Sequence, residues 1–318
     1  MIRRSPVLAL WWHAVSVEGA NVSDEGVMAR LGSMTAGCDL HLHSDASDGS
    51  VAAAQLATDL GHVHMAVLTD HDTLAGSEAF AQALDSELSP PDGVELSLRW
   101  SGGTFHLLVY GYSLASTELA LRIDELAMAR RNRNLELLER ANQAGLEITE
   151  AEVLAAAGTT DFLAKSVGRP HFAKVLVDRG YVSSIQDAFD TYLAKGRPLY
   201  SPKTLFGLEE IGPLCADLGL VAVIAHPLSL GVPLASLPDT LAKFQRQGLA
   251  GVECYYAGYS HQQRVELAQL ASGLKLLITG GSDYHGSFKP GLAALSGFGD
   301  LSVAADIGDR LIERLHDR

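Results

Sequence analysis

From Asp39 onward, short apolar runs alternate with stretches in which apolar residues recur every three or four positions. The first pattern suits buried strands and the second amphipathic helices, so their alternation predicts β–α units around a parallel sheet. Strands are expected at residues 38–42, 65–69, 105–110, 221–225, 251–255 and 275–279, with another at 94–98 after the turn signal Pro90-Pro91-Asp92-Gly93. Helices are expected between them, for instance at 51–60, 77–84 and 260–270. Between about 113 and 202 the rhythm breaks. Leu119, Ile123 and Leu126 stand at helical spacing, Leu137, Leu138 and Ala141 continue the apolar face, and helical patterns follow at 150–157, 171–179 and 185–193. The expectation is an α/β domain built from residues 37–112 and 203–318, with residues 113–202 inserted as a helical module.

The first 36 residues follow neither pattern. Arg3-Arg4 and the apolar residues 7–12 faintly resemble a signal peptide, but the stretch is short, ends at His13 and lacks a convincing cleavage site. Residues 1–36 therefore read as an N-terminal extension, either disordered or lying ahead of a true start at Met34. No apolar run approaches the roughly 18–20 residues that span a bilayer, so no membrane partner is expected. The formal net charge of −14 argues against a long nucleic-acid track, which needs a basic surface. A short nucleotide remains compatible, because a few arginines and bound cations suffice for it. Cys38, Cys215 and Cys254 are odd in number and form no C-x-x-C pair, which disfavours a zinc finger or a disulfide framework. They read as buried thiols in a reducing, cytoplasmic compartment.

Chemistry concentrates at the ends of the expected strands. His41-Leu42-His43 closes the first one, and in a strand residues i and i+2 project to one face, so both imidazoles can reach one ion. Alone, such a pair arises often by chance. It is followed, however, by the polar turn Ser44-Asp45-Ala46-Ser47-Asp48-Gly49. The run 65–69 leads into Asp70-His71-Asp72, 221–225 into His226-Pro227, and 276–279 into Gly280-Gly281-Ser282-Asp283-Tyr284-His285. Four apolar strands ending in His or Asp are what a parallel barrel gathering its site at one rim would show. The glycines at 280 and 281 allow close packing or a positive φ beside that site. Glu95, amid apolar neighbours, needs a partner, and a metal or an arginine would serve equally. His106 precedes its apolar run, so pattern alone favours a structural role.

Together these residues resemble the polymerase and histidinol phosphatase superfamily of metallophosphoesterases. The resemblance rests on Asp-Leu-His-Leu-His-Ser (39–44), Ser-Asp-Gly (47–49), Leu-Thr-Asp-His-Asp-Thr (68–73) and Gly-Val-Glu (93–95). It continues in His106, Ile-Ala-His-Pro (224–227) and Gly-Ser-Asp-Tyr-His-Gly (281–286). It implies a distorted (β/α)7 TIM-like barrel holding two or three divalent ions, with mixed imidazole and carboxylate donors that suit Mn, Zn or Fe. His41, His43, Glu95 and Asp283 would bind one ion. Glu95 would bridge to a second completed by His106 and His226. Asp48, His71 and His285 would hold the third, and Asp70 and Asp72 would orient imidazoles from behind.

Within the superfamily, Gly168-Arg169-Pro170-His171-Phe172, the segment 192–198 and the helix carrying Arg130 and Arg133 resemble the nucleoside 3′,5′-bisphosphate phosphatase and short-RNA 5′-exonuclease branch. The implied enzyme is a phosphoesterase in which a metal-bound hydroxide attacks phosphorus. Its expected partner is a small phosphorylated nucleotide or a short RNA. Arg169 and His171, at the start of an expected helix, would bind phosphate, although an arginine there can equally form a surface ion pair. Arg130 and Arg133 share a helical face that is either solvated or phosphate-binding. Lys195 and Arg197 read more as loop charges, with Arg197 the candidate among them for substrate. The alternatives are a phosphatase for another small monoester, such as histidinol phosphate, or a proofreading or regulatory module associated with a polymerase.

Overall fold

The computed structural model describes residues 37–163 and 166–317. The extension read at 1–36 lies outside them. The chain opens with strand β1 (Cys38–Leu42), helix α1 (Ala53–Leu60), β2 (His62–Val63), β3 (Met65–Leu68), α2 (Ser77–Ala83) and β4 (Asp85–Ser86). It continues with β5 (Asp92–Trp100), β6 (Gly103–Gly111), α3 (Glu118–Gln143), α4 (Glu150–Ala156), α5 (Arg169–Asp178) and α6 (Ile185–Ala188). It ends with α7 (Leu208–Asp217), β7 (Val221–Ile224), α8 (Leu237–Gln245), β8 (Gly251–Tyr256), α9 (His261–Gly273), β9 (Leu277–Gly281) and α10 (Ala305–His316). No described helix is long and apolar enough to cross a membrane.

The fold is mixed α/β. β1 pairs with β3 and β2 with β4, both in parallel, while β5 to β9 form one sheet in sequence order. Single bridges, Leu42 to Tyr284 and His71 to Glu95, connect the β1–β3 ladder to the five-stranded sheet. The expectation of a parallel sheet needs correction at β6, which runs antiparallel to both β5 and β7. The cause is local. Trp100 pairs with Gly103, leaving residues 101 and 102 as the connection, and a two-residue link can only reverse the chain.

The inner strands are apolar on both faces because helices cover them. β6 shows how the alternation is used. Its Phe105, Leu107 and Val109 join a core with Leu96, Leu98, Ile211, Ile224 and Phe244, while Leu108 and Tyr110 join another with Cys38, Leu40, Met65 and Val223. All three cysteines are buried free thiols. Among the described residues no strand lies between β6 and β7. Instead Leu137, Leu138, Val153, Phe172, Leu176, Leu193 and others form a separate helical core. The start of α3 packs on the sheet through Leu119 and Ile123, and its end packs into the helical core.

Candidate metal centre

The ends of β1, β3, β7 and β9 meet the middle of β5 and the start of β6, and the polar side chains gather there. His41 and His43 face each other with Nε2 atoms 3.1 Å apart. Glu95 Oε2 lies 3.2 Å from His41 Nε2 and 3.1 Å from His43 Nε2. Asp283 Oδ1 lies 3.5 and 3.2 Å from the same two nitrogens. On the far side, Glu95 Oε1 is 3.1 Å from His106 Nδ1 and 3.2 Å from His226 Nε2, and His71 Nδ1 is 3.3 Å from Oε2. Five imidazoles thus surround one carboxylate. A third group joins His43, Asp48, His71 and His285, with Asp48 Oδ1 3.2 Å from His285 Nε2.

His106 reaches this cluster because its strand is reversed. In β6 the start, not the end, lies beside the ends of the parallel strands, and Ala225 N–H donates to the His106 carbonyl at 3.0 Å. Two further backbone features serve the site. His226 (φ 28°) and Asp283 (φ 55°) occupy positive-φ conformations that non-glycine residues seldom adopt, and such outliers persist where surrounding structure over-determines them. Gly281 is needed for close approach, since a Cβ there would stand 2.4 Å from His41 Cβ.

The electrostatics explain why such a cluster needs cations. Burial alone would push the Glu95 and Asp283 carboxyls up, yet the facing histidines hold both well below the usual carboxylate range. Burial also opposes a charge on His41 and His43. The carboxylates around them override it, raising His41 well above its ordinary value and His43 to about 10. His71, with burial dominant, falls to about 4. Without metal the cluster therefore balances its charge with protons on imidazoles, which a divalent ion would displace.

The donor set fits that replacement. Buried His43 Nδ1, His71 Nδ1, Glu95 Oε2 and His106 Nδ1 have no hydrogen-bond partner among the described residues. The 3.1–3.5 Å spacings among His41, His43, Glu95 and Asp283 also suit it. The edge of a tetrahedron with ligand distances near 2.0–2.1 Å is about 3.3 Å.

Several expected roles change. Asp72 does not orient an imidazole. Its Oδ1 accepts from Ser97 N–H at 3.0 Å and its Oδ2 from Arg130 at 2.7 Å. The pair with Asp72 gives the half-buried Arg130 a protein partner. Asp70 likewise binds no imidazole; it accepts from the Ser44 and Ser47 hydroxyls and so ties down the turn that carries Asp48. Arg133 is 9% exposed, and its Nε lacks a partner among the described residues. Burial, with Arg130 and Arg169 nearby, lowers it to about 10. Arg169 donates to the Leu193 carbonyl at 3.1 Å and lies over the rings of Phe189 and Tyr200. His171 Nδ1 accepts from Gly168 N–H at 3.1 Å, capping its own helix. Arg197 is exposed, and its side chain makes no hydrogen bond or ion pair among the described residues.

Four residues had no role in the sequence reading. Glu253, fully buried, accepts from His41 and from His226 N–H. Tyr256 donates its hydroxyl to Asp283 Oδ2 at 2.9 Å, and Lys289 donates to the same oxygen. Lys203, which is exposed, lines a pocket with Asp72, Arg130 and Arg133. Of these, Glu253 had a visible signal: Gly-Val-Glu occurs at 251–253 as at 93–95.

No family model matches the chain. It is 30% identical over 259 residues to the 3′,5′-nucleoside bisphosphate phosphatase of Chromobacterium violaceum, covering 79% of this chain and 87% of that protein. It is 31% identical over 262 residues to the 5′-3′ exoribonuclease Rnm of Escherichia coli, covering 78% and 84%. A solved structure described as a candidate metal-dependent phosphoesterase, from Bifidobacterium adolescentis, superposes with a TM-score of 0.69 at 28% identity, covering 88% of this chain and 96% of that one. With that identity over most of both lengths, and with the His, Asp and Glu clusters described above, the chain belongs to the polymerase and histidinol phosphatase superfamily of metal-dependent phosphoesterases.

Proposed function

We propose that the chain hydrolyses phosphate esters of small nucleotides, nucleoside 3′,5′-bisphosphates or short oligoribonucleotides, at a centre of two or three divalent ions such as Mn, Zn or Fe. His41, His43, Glu95 and Asp283 hold one ion, Glu95 with His106 and His226 a second, and Asp48, His71 and His285 a third. Bound there, such ions would supply charge to neutralise phosphoryl oxygens and to lower the pKa of water. The bridges Leu42–Tyr284 and His71–Glu95 support reading β1, β3 and β5 to β9 as one distorted seven-stranded barrel. The helices from α3 to α6 are then an insert that faces substrate.

The observation that carries the substrate reading is a basic pocket beside the metal centre. Arg130, Arg133 and Lys203 line it with Asp72, the residue after His71, whose N–H donates to the Glu95 carbonyl at 3.0 Å. One carboxylate cannot balance three cations, and a second phosphate of the substrate completes the account. Arg133 is the strongest candidate, since its buried Nε lacks a partner. Arg169, braced by Leu193 and two rings, keeps the pocket basic.

Phosphate release from adenosine 3′,5′-bisphosphate, adenosine 3′-monophosphate and histidinol phosphate tests the proposal. The bisphosphate is expected to be preferred over the monophosphate by about tenfold or more in kcat/KM, a single charge-assisted contact contributing on the order of 1.5–3 kcal/mol. Arg133→Met should remove that preference chiefly through KM. Equal turnover of histidinol phosphate, or an unchanged preference in the variant, would contradict it.

A further inference from the structure

We propose that Glu253 is a positioning residue that holds two ligand-bearing segments of the cluster at once; this rests on the cluster being a metal centre. Its carboxylate is fully buried and both oxygens are engaged. Oε1 is 2.8 Å from His41 Nδ1, and Oε2 accepts the backbone N–H of His226 at 2.7 Å. A carboxylate oxygen accepts, so a His41 that binds an ion keeps a proton on Nδ1 and offers it Nε2, the atom that faces Glu95, His43 and Asp283. The second oxygen fixes the positive-φ backbone of His226, whose ring then reaches Glu95 Oε1. One side chain thereby sets the tautomer of a residue on β1 and the backbone of a residue after β7.

The strand is shaped for this. The register between β8 and β9 shifts between Glu253 and Tyr255. In a regular strand residues three apart point to opposite faces, whereas a bulge re-aims one of them. Here Glu253 and Tyr256 both reach the cluster, the first at His41 and the second at Asp283. A bulge at this point supplies two supports from consecutive turns of the pleat.

If Glu253 merely filled space, Glu253→Gln would be neutral, because the two side chains share a shape. The proposal expects otherwise. An amide offers one acceptor and one donor edge, so one of the two N–H groups must face an N–H. Either His41 moves its proton to Nε2, which blocks ligation, or the His226 N–H is orphaned.

The test is Zn²⁺ titration of the chelator-stripped full chain by calorimetry, beside its circular dichroism and melting temperature. Glu253→Gln is expected to stay folded yet bind its tightest Zn²⁺ on the order of 10–100-fold more weakly, as loss of a ligand-orienting carboxylate does. Zn²⁺ affinity within twofold of wild type in the folded variant overturns the proposal. The ¹⁵N signals of His41 in the Zn²⁺-loaded wild type give a second test without any variant. They should show Nδ1 protonated, and a proton on Nε2 overturns the assignment. A wild-type chain that takes up no Zn²⁺ overturns the metal centre itself and this proposal with it, an outcome distinct from normal uptake by both proteins.

Discussion

Glu95→Ala is expected to lower kcat/KM by at least about a thousandfold, or about 4 kcal/mol of transition-state stabilisation. The reason is position. Glu95 Oε2 faces His41, His43 and His71, and Oε1 faces His106 and His226, so one truncation removes an acceptor from both groups. Loss of a single peripheral donor such as Asp48, whose side chain is 54% exposed, should cost less. The variant should also bring down less metal on purification, and the two measurements should fall together. A Glu95→Ala protein that keeps its metal and a tenth of wild-type turnover would contradict the shared-carboxylate geometry.

Gly281→Ala should be strongly damaging although Gly281 is not itself a ligand. A Cβ there meets His41 Cβ at 2.4 Å and His41 N at 2.6 Å, backbone that cannot swing aside. Relief requires β9 to move away from β1, which breaks the bonds from Asp283 N to the His41 carbonyl at 2.8 Å and from Ser282 N to Asp39 at 2.9 Å. Overpacking of this kind costs about 1–3 kcal/mol, and at about 2–4 °C per kcal/mol for a chain somewhat smaller than this one melting should fall by about 2–10 °C. Metal affinity should drop too, because the moved strand carries Asp283. Gly273→Ala is the control: its Cβ would meet nothing within 4 Å at the end of α9, so melting should hold or rise slightly. Equal melting of the two variants would refute the β1–β9 contact.

The strand-end residues were legible because each follows an apolar run, and a strand's end is where its side chains leave the core. His41, His43, His71, His226, Asp283 and His285 all carry that signal. His106 lacked it because the two-residue link at 101–102 reverses β6, so the same rim is reached from the strand's beginning. Tyr256 was hidden differently. Strict alternation aims it away from Glu253, and only the register shift turns it inward. The partner of Asp72 could not be read at all, since Arg130 lies 58 residues away on a helix whose docking depends on tertiary packing. Local pattern therefore points to the side chains that gather at the strand ends and misses the residues that support them, because supports are set by contacts between elements.

On the function proposed above, these side chains converge in order to hold cations. Elemental analysis of the purified chain, before and after chelation, tests it most directly when paired with phosphate release from adenosine 3′,5′-bisphosphate. More than one equivalent of divalent transition metal per chain is expected, with loss of turnover when it is stripped and recovery when Mn²⁺, Zn²⁺ or Fe²⁺ is returned. Full turnover by a chain carrying no metal would contradict it.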